Sequence, residues 1–144
     1  MFLSYTYDEF ISACSVVFES IIHEYSMHSI EKHNTAGVGY AITFNNDTSA
    51  IWINYELRGN ELFIGICKLV NGVVPKGYNF GIYCFTLENL IARLALDIDF
   101  PGKVLRNERN VNRRIRGTLI LAAEIINTYM SDMLLGDFTA FENK

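Results

Sequence analysis

Alternating apolar and polar residues in the middle of the chain predict three consecutive β-strands. They cover residues 37–45, 49–58 and 61–70, and every second side chain of a strand faces the same way. In the first two strands one face is apolar, with Val38, Tyr40, Ile42, Phe44, Ile51, Ile53, Tyr55 and Leu57. Residues 45–47 and 58–60 are Asn, Asp, Arg and Gly, which favour tight turns. Connections this short make the strands antiparallel neighbours in a meander.

The chain on either side of the meander has helical periodicity. Thr6 and Glu9 form a capping-box pattern, and the helix that follows is expected to continue to Tyr25. Its predicted buried face contains Phe10, Cys14, Val17, Phe18, Ile21 and Tyr25. A long helix is predicted over residues 108–135, with Gly136 as the residue that follows its end. The buried stripe of this helix is expected to be Val111, Ile115, Leu119, Ala122, Ile126, Tyr129 and Met133.

The remaining segments complete the predicted fold. Residues 26–36 are polar and aperiodic, so we interpret them as a connection, while Asn71-Gly72 predicts a tight turn. Residues 78–85 are a candidate fourth strand, and Thr86 is the N-cap of a short helix over residues 87–98. In that helix the expected buried residues are Leu90, Ile91, Leu94 and Ala95. The prediction is a single α+β domain over residues 1–144: an antiparallel β-meander of three to five strands, with an N-terminal helix and a long C-terminal helix packed on one face.

Composition narrows the class of protein. Half of the residues are hydrophobic and 19% are charged, as in a globular domain, and the net charge of −4 argues against a surface built for nucleic acid. The N-terminal residues lack the pattern of a signal peptide, and no apolar run reaches the roughly 18 residues that a membrane span needs. Cys14, Cys67 and Cys84 each have apolar neighbours, which favours reduced core thiols in a cytoplasmic protein.

No pattern of residues predicts catalysis, a cofactor or a metal. The chain has neither the glycine-flanked serine of a nucleophile elbow nor a glycine-rich phosphate loop before a helix. Glu19 and His23 are spaced as a metal-binding pair on a helix. However, His28 and His33 fall in the predicted connection, so the spacing supplies no complete ligand set. We therefore expect a protein that is not an enzyme.

Charge is distributed unevenly along the chain. Residues 1–61 contain eight acidic and two basic residues, whereas residues 103–116 contain six basic residues and one acidic residue. Arginines at steps of three, four and three lie on one side of the predicted long helix if that helix extends far enough back along the chain, and Ile120 continues this side. These arginines are Arg106, Arg109, Arg113 and Arg116. They form either a solvated face, partly neutralised by Asp97, Asp99 or the acidic half of the chain, or a docking stripe for an acidic partner, another protomer or a phosphate.

The outward face of the meander is the second candidate surface. If the apolar row of the second strand faces the helices, Trp52 points the opposite way, beside Asn54 and Glu56. A tryptophan surrounded by polar residues on a surface is typical of an interface anchor. The alternative is that a loop such as residues 73–77, or the first helix, covers Trp52.

The C-terminal segment resembles a known family. Residues 125–141, with the motif Leu134-Leu135-Gly136-Asp137-Phe138 and then Phe141, resemble the C-terminal helix and tail of small immunity proteins from bacterial polymorphic toxin systems. The order of helix, antiparallel meander and long helix also fits several such families. The resemblance implies a cytoplasmic, non-enzymatic binder that occludes a cognate toxin. It assigns no contact residues, because such proteins vary most at the contact surface.

The leading hypothesis is therefore a cytoplasmic protein-binding module, specifically an immunity-type inhibitor. Its acidic half would dock a basic toxin domain by charge complementarity, without nucleic acid, membrane or cofactor. The predicted partner-binding residues are Trp52, Asn54, Glu56, Arg109, Arg113, Arg116 and Ile120. The alternatives are a small-molecule or phosphate sensor whose arginines line a cleft, and a homodimeric structural protein that pairs through the long helix or a sheet edge.

Overall fold

The structure is a computed structural model that describes residues 5–75 and 82–142. In these residues the chain forms a five-stranded antiparallel sheet in the order β1-β2-β3-β4-β5. The strands are β1 (His28–Thr35), β2 (Gly39–Asn45), β3 (Ser49–Glu56), β4 (Glu61–Lys68) and β5 (Cys84–Thr86). The helices are α1 (Tyr7–Val17), α2 (Glu19–Glu24), α3 (Leu87–Arg93), α4 (Lys103–Arg106), α5 (Val111–Tyr129), α6 (Ser131–Leu134) and α7 (Thr139–Glu142). The predicted α+β class is confirmed.

The predicted meander corresponds to β2, β3 and β4. Ile42, Ile53 and Ile64 are paired across these strands and are fully buried, as the alternating pattern predicts. Together with the helices they form one continuous core, which we call the inner side of the sheet. The predicted turn at Asn71-Gly72 is also present, because both residues have positive φ and they join the bridged pair Val70 and Val73.

The interpretation of residues 26–36 as a connection is wrong, because most of them form β1. This strand pairs along its length with β2, with a register shift between Ser29 and Glu31. Every side chain that the structure describes in β1 is exposed. A strand that is exposed on both faces has no apolar alternation, so the pattern that identifies the other strands is missing here. Half of the predicted fourth strand, residues 78–81, lies outside the described residues. Of the other half, Cys84 and Phe85 belong to β5.

The N-terminal cap is confirmed, and the helix it begins has a break. The Thr6 hydroxyl oxygen accepts a hydrogen bond from the Glu9 amide at 3.1 Å. Helix α1 ends at Val17, and α2 begins after Phe18, so the predicted single helix is two. The expected face is nonetheless buried at Phe10, Cys14, Phe18 and Ile21, with Val17 and Tyr25 half-buried. Burial raises the pKa of the Cys14 thiol well above its ordinary value.

The later helices are shorter than predicted. Thr86 caps α3 as expected, but the helix ends at Arg93, and Ala95 is exposed with a positive φ of 53° instead of buried. The predicted long helix begins at Val111 and breaks at Met130, which separates α5 from α6. This break exposes 48% of Tyr129, so its predicted burial is wrong, while Met133 is buried as expected. None of the described helices has the length and apolar character needed to cross a membrane.

A second, smaller apolar cluster lies on the outer side of the sheet. Its buried members are Ala50, Trp52, Cys67, Leu69 and Cys84. Cys67 and Cys84 lie opposite each other on β4 and β5 and are joined by a disulfide, so the prediction of three reduced thiols is wrong. Only Cys14 is free. The disulfide also removes the argument for a reducing compartment that rested on these thiols.

The disulfide should contribute to stability. It closes a loop between residues 17 apart, and a constraint of that size stabilises a fold by about 3 kcal/mol through the entropy of the unfolded chain. Addition of a thiol reductant should therefore lower the urea midpoint of the parent. The double variant Cys67→Ser, Cys84→Ser should have this lower urea midpoint without reductant, and reductant should not change its midpoint. Detection of three titratable thiols in the denatured, unreduced chain would contradict the pairing.

Gly65 is required by the outer cluster. A Cβ at this position would collide with the Trp52 indole and with the carbonyl oxygen of Phe85. Gly65→Ala should therefore cost about 2 kcal/mol or more, because the indole must move from its packed position. Gly59→Ala is the matched control, since the nearest atom to its Cβ is Glu61 Cγ at 3.4 Å. Equal denaturation midpoints for the two variants would show that Trp52 does not pack on Gly65.

Candidate functional site

The outer side of the sheet has two ends with different surroundings. Trp52 points to this side, as predicted from the alternation, but only 3% of it is exposed. The half-buried Val74 and Tyr83 pack against its cluster, so the alternative in which the chain following β4 covers Trp52 is the correct one. Trp52 is therefore part of the fold, and the prediction that it is a surface anchor is wrong.

The other end of the outer side is open to solvent. Ala41, Asn54 and Phe63 lie side by side across β2, β3 and β4, and Glu56 and Glu61 are paired in the next row. This part of the surface contains a depression of about 260 Å³. The open end, as we call this surface, comprises His33, Thr35, Val38, Ala41, Asn54, Glu56, Glu61 and Phe63.

The open end combines exposed apolar groups with negative charge. Val38, which the alternation assigns to the apolar face with Tyr40 and Ile42, is 59% exposed, so that assignment is wrong; the residue lies in the turn before β2. Phe63 is 41% exposed. Glu56 and Glu61 are exposed beside them, and none of the described Lys or Arg residues lines the depression. His33 Nε2 lies 3.3 Å from a carboxylate oxygen of Glu31. Of the predicted partner-binding residues, Asn54 and Glu56 therefore belong to one surface, with Phe63 in the position of the apolar anchor that Trp52 does not supply.

The predicted arginine stripe is divided among different elements. Arg106 belongs to α4, where its guanidinium binds Asp99 at 2.8 Å and the Phe100 carbonyl oxygen at 2.9 Å. Arg109 precedes α5, because that helix begins only after the Asn110 cap. The prediction that Arg106 and Arg109 continue one side of the helix is therefore wrong, and the expected neutralisation by Asp99 is present.

Arg113, Arg116 and Ile120 remain together on α5. All three are exposed, Ile120 by 42%. Arg116 lines a groove with Asp8 and Glu9 of α1, so its charge faces the acidic first turn of that helix. Burial raises the pKa of Tyr5, in the same groove, to about 12, and the Arg116 charge acts in the opposite direction. This positive surface is therefore compensated in part by the protein's own acids.

Arg114 has a structural role that the sequence did not indicate. Its guanidinium donates to the carbonyl oxygens of Glu108 and Asn60, at 3.2 and 2.8 Å. These bonds connect the start of α5 to the turn between β3 and β4. Because both acceptors are backbone groups, no side-chain pattern could have predicted them.

Asn46 is a second connection between distant segments. Its amide nitrogen donates to the carbonyl oxygens of Tyr25 and Leu134, at 3.2 and 2.8 Å. Its amide oxygen accepts from the backbone amides of Thr48 and Ser49, both at 2.9 Å. One side chain thus joins the end of α2, the turn between β2 and β3, and the end of α6.

The motif that carries the resemblance to immunity proteins is packed largely against this turn. Leu134 is fully buried, and its carbonyl oxygen also accepts from the Ser49 hydroxyl at 3.1 Å. Gly136 has a φ of 95° and lies against Thr48, which a Cβ would approach to 2.9 Å. Phe138 is buried as well. These residues therefore stabilise the fold, which agrees with a resemblance that assigns no contact residues.

The histidines occupy separate exposed positions. His23 lies on α2, and His28 and His33 lie on β1. Within residues 5–75 and 82–142, no three side chains of the His, Cys, Asp or Glu type come together as a metal site.

Comparisons of the chain with protein-family models, with curated proteins and with solved structures find no match. The proposal for its function therefore depends on the geometry described above.

Asn46 should contribute measurably to stability. Asn46→Ala removes two hydrogen bonds donated to backbone carbonyl oxygens and two accepted from backbone amides, so we expect a loss of about 2–4 kcal/mol in the free energy of unfolding. Asn127→Ala is the control, because Asn127 is exposed on α5. Chemical denaturation measures both. A loss below about 0.5 kcal/mol for Asn46→Ala, which is typical of a surface substitution, would contradict the assigned role.

Proposed function

We propose that the protein is a non-enzymatic protein-binding module of the immunity-inhibitor type. Its partner would be a basic protein domain, such as a toxin, and its mechanism would be steric and electrostatic occlusion by the open end. The observation that carries this proposal is the exposure of Phe63 and Val38, 41% and 59%, beside the carboxylates of Glu56 and Glu61. An exposed aromatic anchor with a charged rim is the usual composition of a binding hot spot.

The shape of the open end supports a macromolecular partner. Its depression of about 260 Å³ lies below the roughly 300–1,000 Å³ of typical small-molecule sites. A shallow sheet face with an exposed phenyl ring offers area to another protein but cannot enclose a small ligand. At the open end, this favours docking of a protein over binding of a small molecule.

The charges support a basic partner. The lining of the depression contains glutamate but no lysine or arginine, and complementary charge mainly raises the rate of association. The arginines support the alternative surface less well. Arg106 already binds Asp99, Arg114 binds two backbone carbonyl groups, and Arg116 faces the acids of α1.

The proposal is tested in two steps. The tagged protein is first used to recover its partner from the native host, and the partner is identified by mass spectrometry. Affinities are then measured for the parent, Phe63→Ala, Glu56→Lys and the matched charge reversal Arg113→Glu. Loss of a true anchor costs at least about 2 kcal/mol, or roughly thirtyfold in affinity. We expect such a loss for Phe63→Ala, weaker binding for Glu56→Lys, and little change for Arg113→Glu.

The inhibitory role has its own measurement. Expression of the recovered partner alone should arrest growth of a test host, and co-expression of the parent should restore it, whereas Phe63→Ala should restore it poorly. If Phe63→Ala and Glu56→Lys bind as tightly as the parent, with folds intact, the open end is not the site. If Arg113→Glu alone abolishes binding, the site lies on α5.

A further inference from the structure

The strand β1 has one backbone edge that pairs with none of the described residues. It is the outermost strand of the sheet, and β2 is its only neighbour there. Its side chains are exposed on both faces wherever the structure describes them, so no described element covers the strand. An exposed edge of this kind is a template for pairing with a further strand. A second strand therefore has room to approach β1 from this side, which we call the open edge.

Two residues of β1 direct their backbone groups to the open edge. Val38 lies directly before β2, and its carbonyl oxygen accepts a hydrogen bond from the Leu57 amide, directly after β3. Backbone groups of successive residues in an antiparallel strand face opposite neighbours, so every second residue of β2, beginning with Gly39, faces β1. The β1 residues paired with them are Glu31, His33 and Thr35. Lys32 and Asn34 alternate with these, so their N–H and C=O groups face away from β2.

We infer that the open edge pairs with β1 of a second copy of the chain, antiparallel and centred on His33. The register shift between Ser29 and Glu31 confines regular pairing to residues 31–35, and His33 is their midpoint. A two-fold axis perpendicular to the sheet relates antiparallel copies and keeps every side chain on its own face. Only positions on one face can then lie opposite each other, so the axis passes through a residue and not between two.

The charges of β1 favour this register. Lysine on an edge strand usually opposes pairing, but here Lys32 lies opposite the neutral Asn34 of the second copy. Glu31 lies opposite Thr35, which is also neutral. An axis at Lys32 or at Glu31 would instead place like charges directly opposite each other, which is destabilising. An axis at Asn34 would leave a shorter ladder, because β1 ends one residue later. The imidazoles that meet at the axis each lie beside a carboxylate, since His33 Nε2 is 3.3 Å from Glu31.

The dimer joins two sheets into one through a short ladder. The N–H and C=O groups of Lys32 and Asn34 in each copy bond to the same two residues of the other copy. Because these bonds are few and the paired side chains are polar, the dimer should be weak and form at high concentration. A strand of another protein could use the same edge, but β1 itself fits it without a like-charge pair. Phe63 lies on β4, away from this edge, so the inference does not depend on the proposed function.

The first test measures self-association of the whole chain by sedimentation equilibrium. Over about 10 µM to about 1 mM, the range of weak association, we expect a reversible equilibrium between monomer and dimer. Amide hydrogen exchange then locates the interface. The Lys32 and Asn34 amides should become protected as the dimer forms, whereas the His33 amide, which faces β2, should be protected at every concentration. A chain that stays monomeric, or a dimer that leaves the Lys32 and Asn34 amides unprotected, would overturn the inference.

A proline at position 34 tests the backbone ladder. Asn34→Pro removes an amide that faces the open edge, a position where a strand tolerates proline. It should weaken dimerisation about tenfold or more, because each dimer loses two ladder hydrogen bonds. Asn34→Ala keeps the amide and is the matched control, which should associate nearly as well as the parent. Equal dimerisation by the two variants would show that the copies meet elsewhere.

A charge at the same position tests the register, and it remains decisive if the proline variant does not fold. Asn34→Asp places an acid opposite Lys32 of the second copy and should tighten the dimer, whereas Asn34→Lys should weaken it. The control is the pair Asn127→Asp and Asn127→Lys, since Asn127 is exposed on α5. The net charge of −4 makes an added acid unfavourable to association elsewhere. If Asn34→Asp associates no better than Asn34→Lys, the register is wrong and the inference fails.

Discussion

The amide of Asn46 connects the parts of the molecule that the core alone does not position. Its hydrogen bonds to Tyr25, Thr48, Ser49 and Leu134 bring together the end of the N-terminal helices, the turn between β2 and β3, and the C-terminal segment. Apolar packing is not directional, so it holds helices on a sheet without specifying where their ends lie. Hydrogen bonds are directional. The bond to Leu134 therefore helps to fix where the C-terminal residues after α5 lie against the sheet.

The two sides of the sheet have different uses because they are covered differently. On the inner side the helices bury the apolar residues of β2, β3 and β4, whereas the side chains that the structure describes in β1 are exposed. On the outer side, the disulfide between Cys67 and Cys84 and the packing of Trp52 on Gly65 close one end. The other end keeps Phe63 and Val38 exposed among glutamates. The open end of the outer side lies on strands that the core already holds in place. Such a surface suits recognition of another protein without conformational change.

The candidate site was predictable in part. Strand alternation correctly placed Trp52, Asn54 and Glu56 on the outer side, since successive side chains of a strand point to opposite faces. It could not show that the chain after β4 folds back over Trp52, or that Phe63 takes the exposed position. The arginines illustrate the same limit. Their spacing implied one helical side, but the Asn110 cap starts α5 after Arg109, and Arg106 turns to Asp99. A helix cap or an ion pair can end a helix that the periodic spacing alone would extend. Which of the two effects prevails depends on the tertiary structure.

By itself the sequence determined the features that depend on near neighbours. These are the meander, the caps at Thr6 and Thr86, the turn at Asn71-Gly72, and the α+β class. Each follows from local hydrogen bonding or from periodic burial, which both leave a pattern in consecutive residues. Only the tertiary structure decided that the exposed segment His28–Thr35 is a strand, that Cys67 pairs with Cys84, and that Asn46 binds Leu134. The disulfide and the hydrogen bond join residues that are distant along the chain, and the strand has no buried face. No periodic pattern in the sequence therefore predicts them.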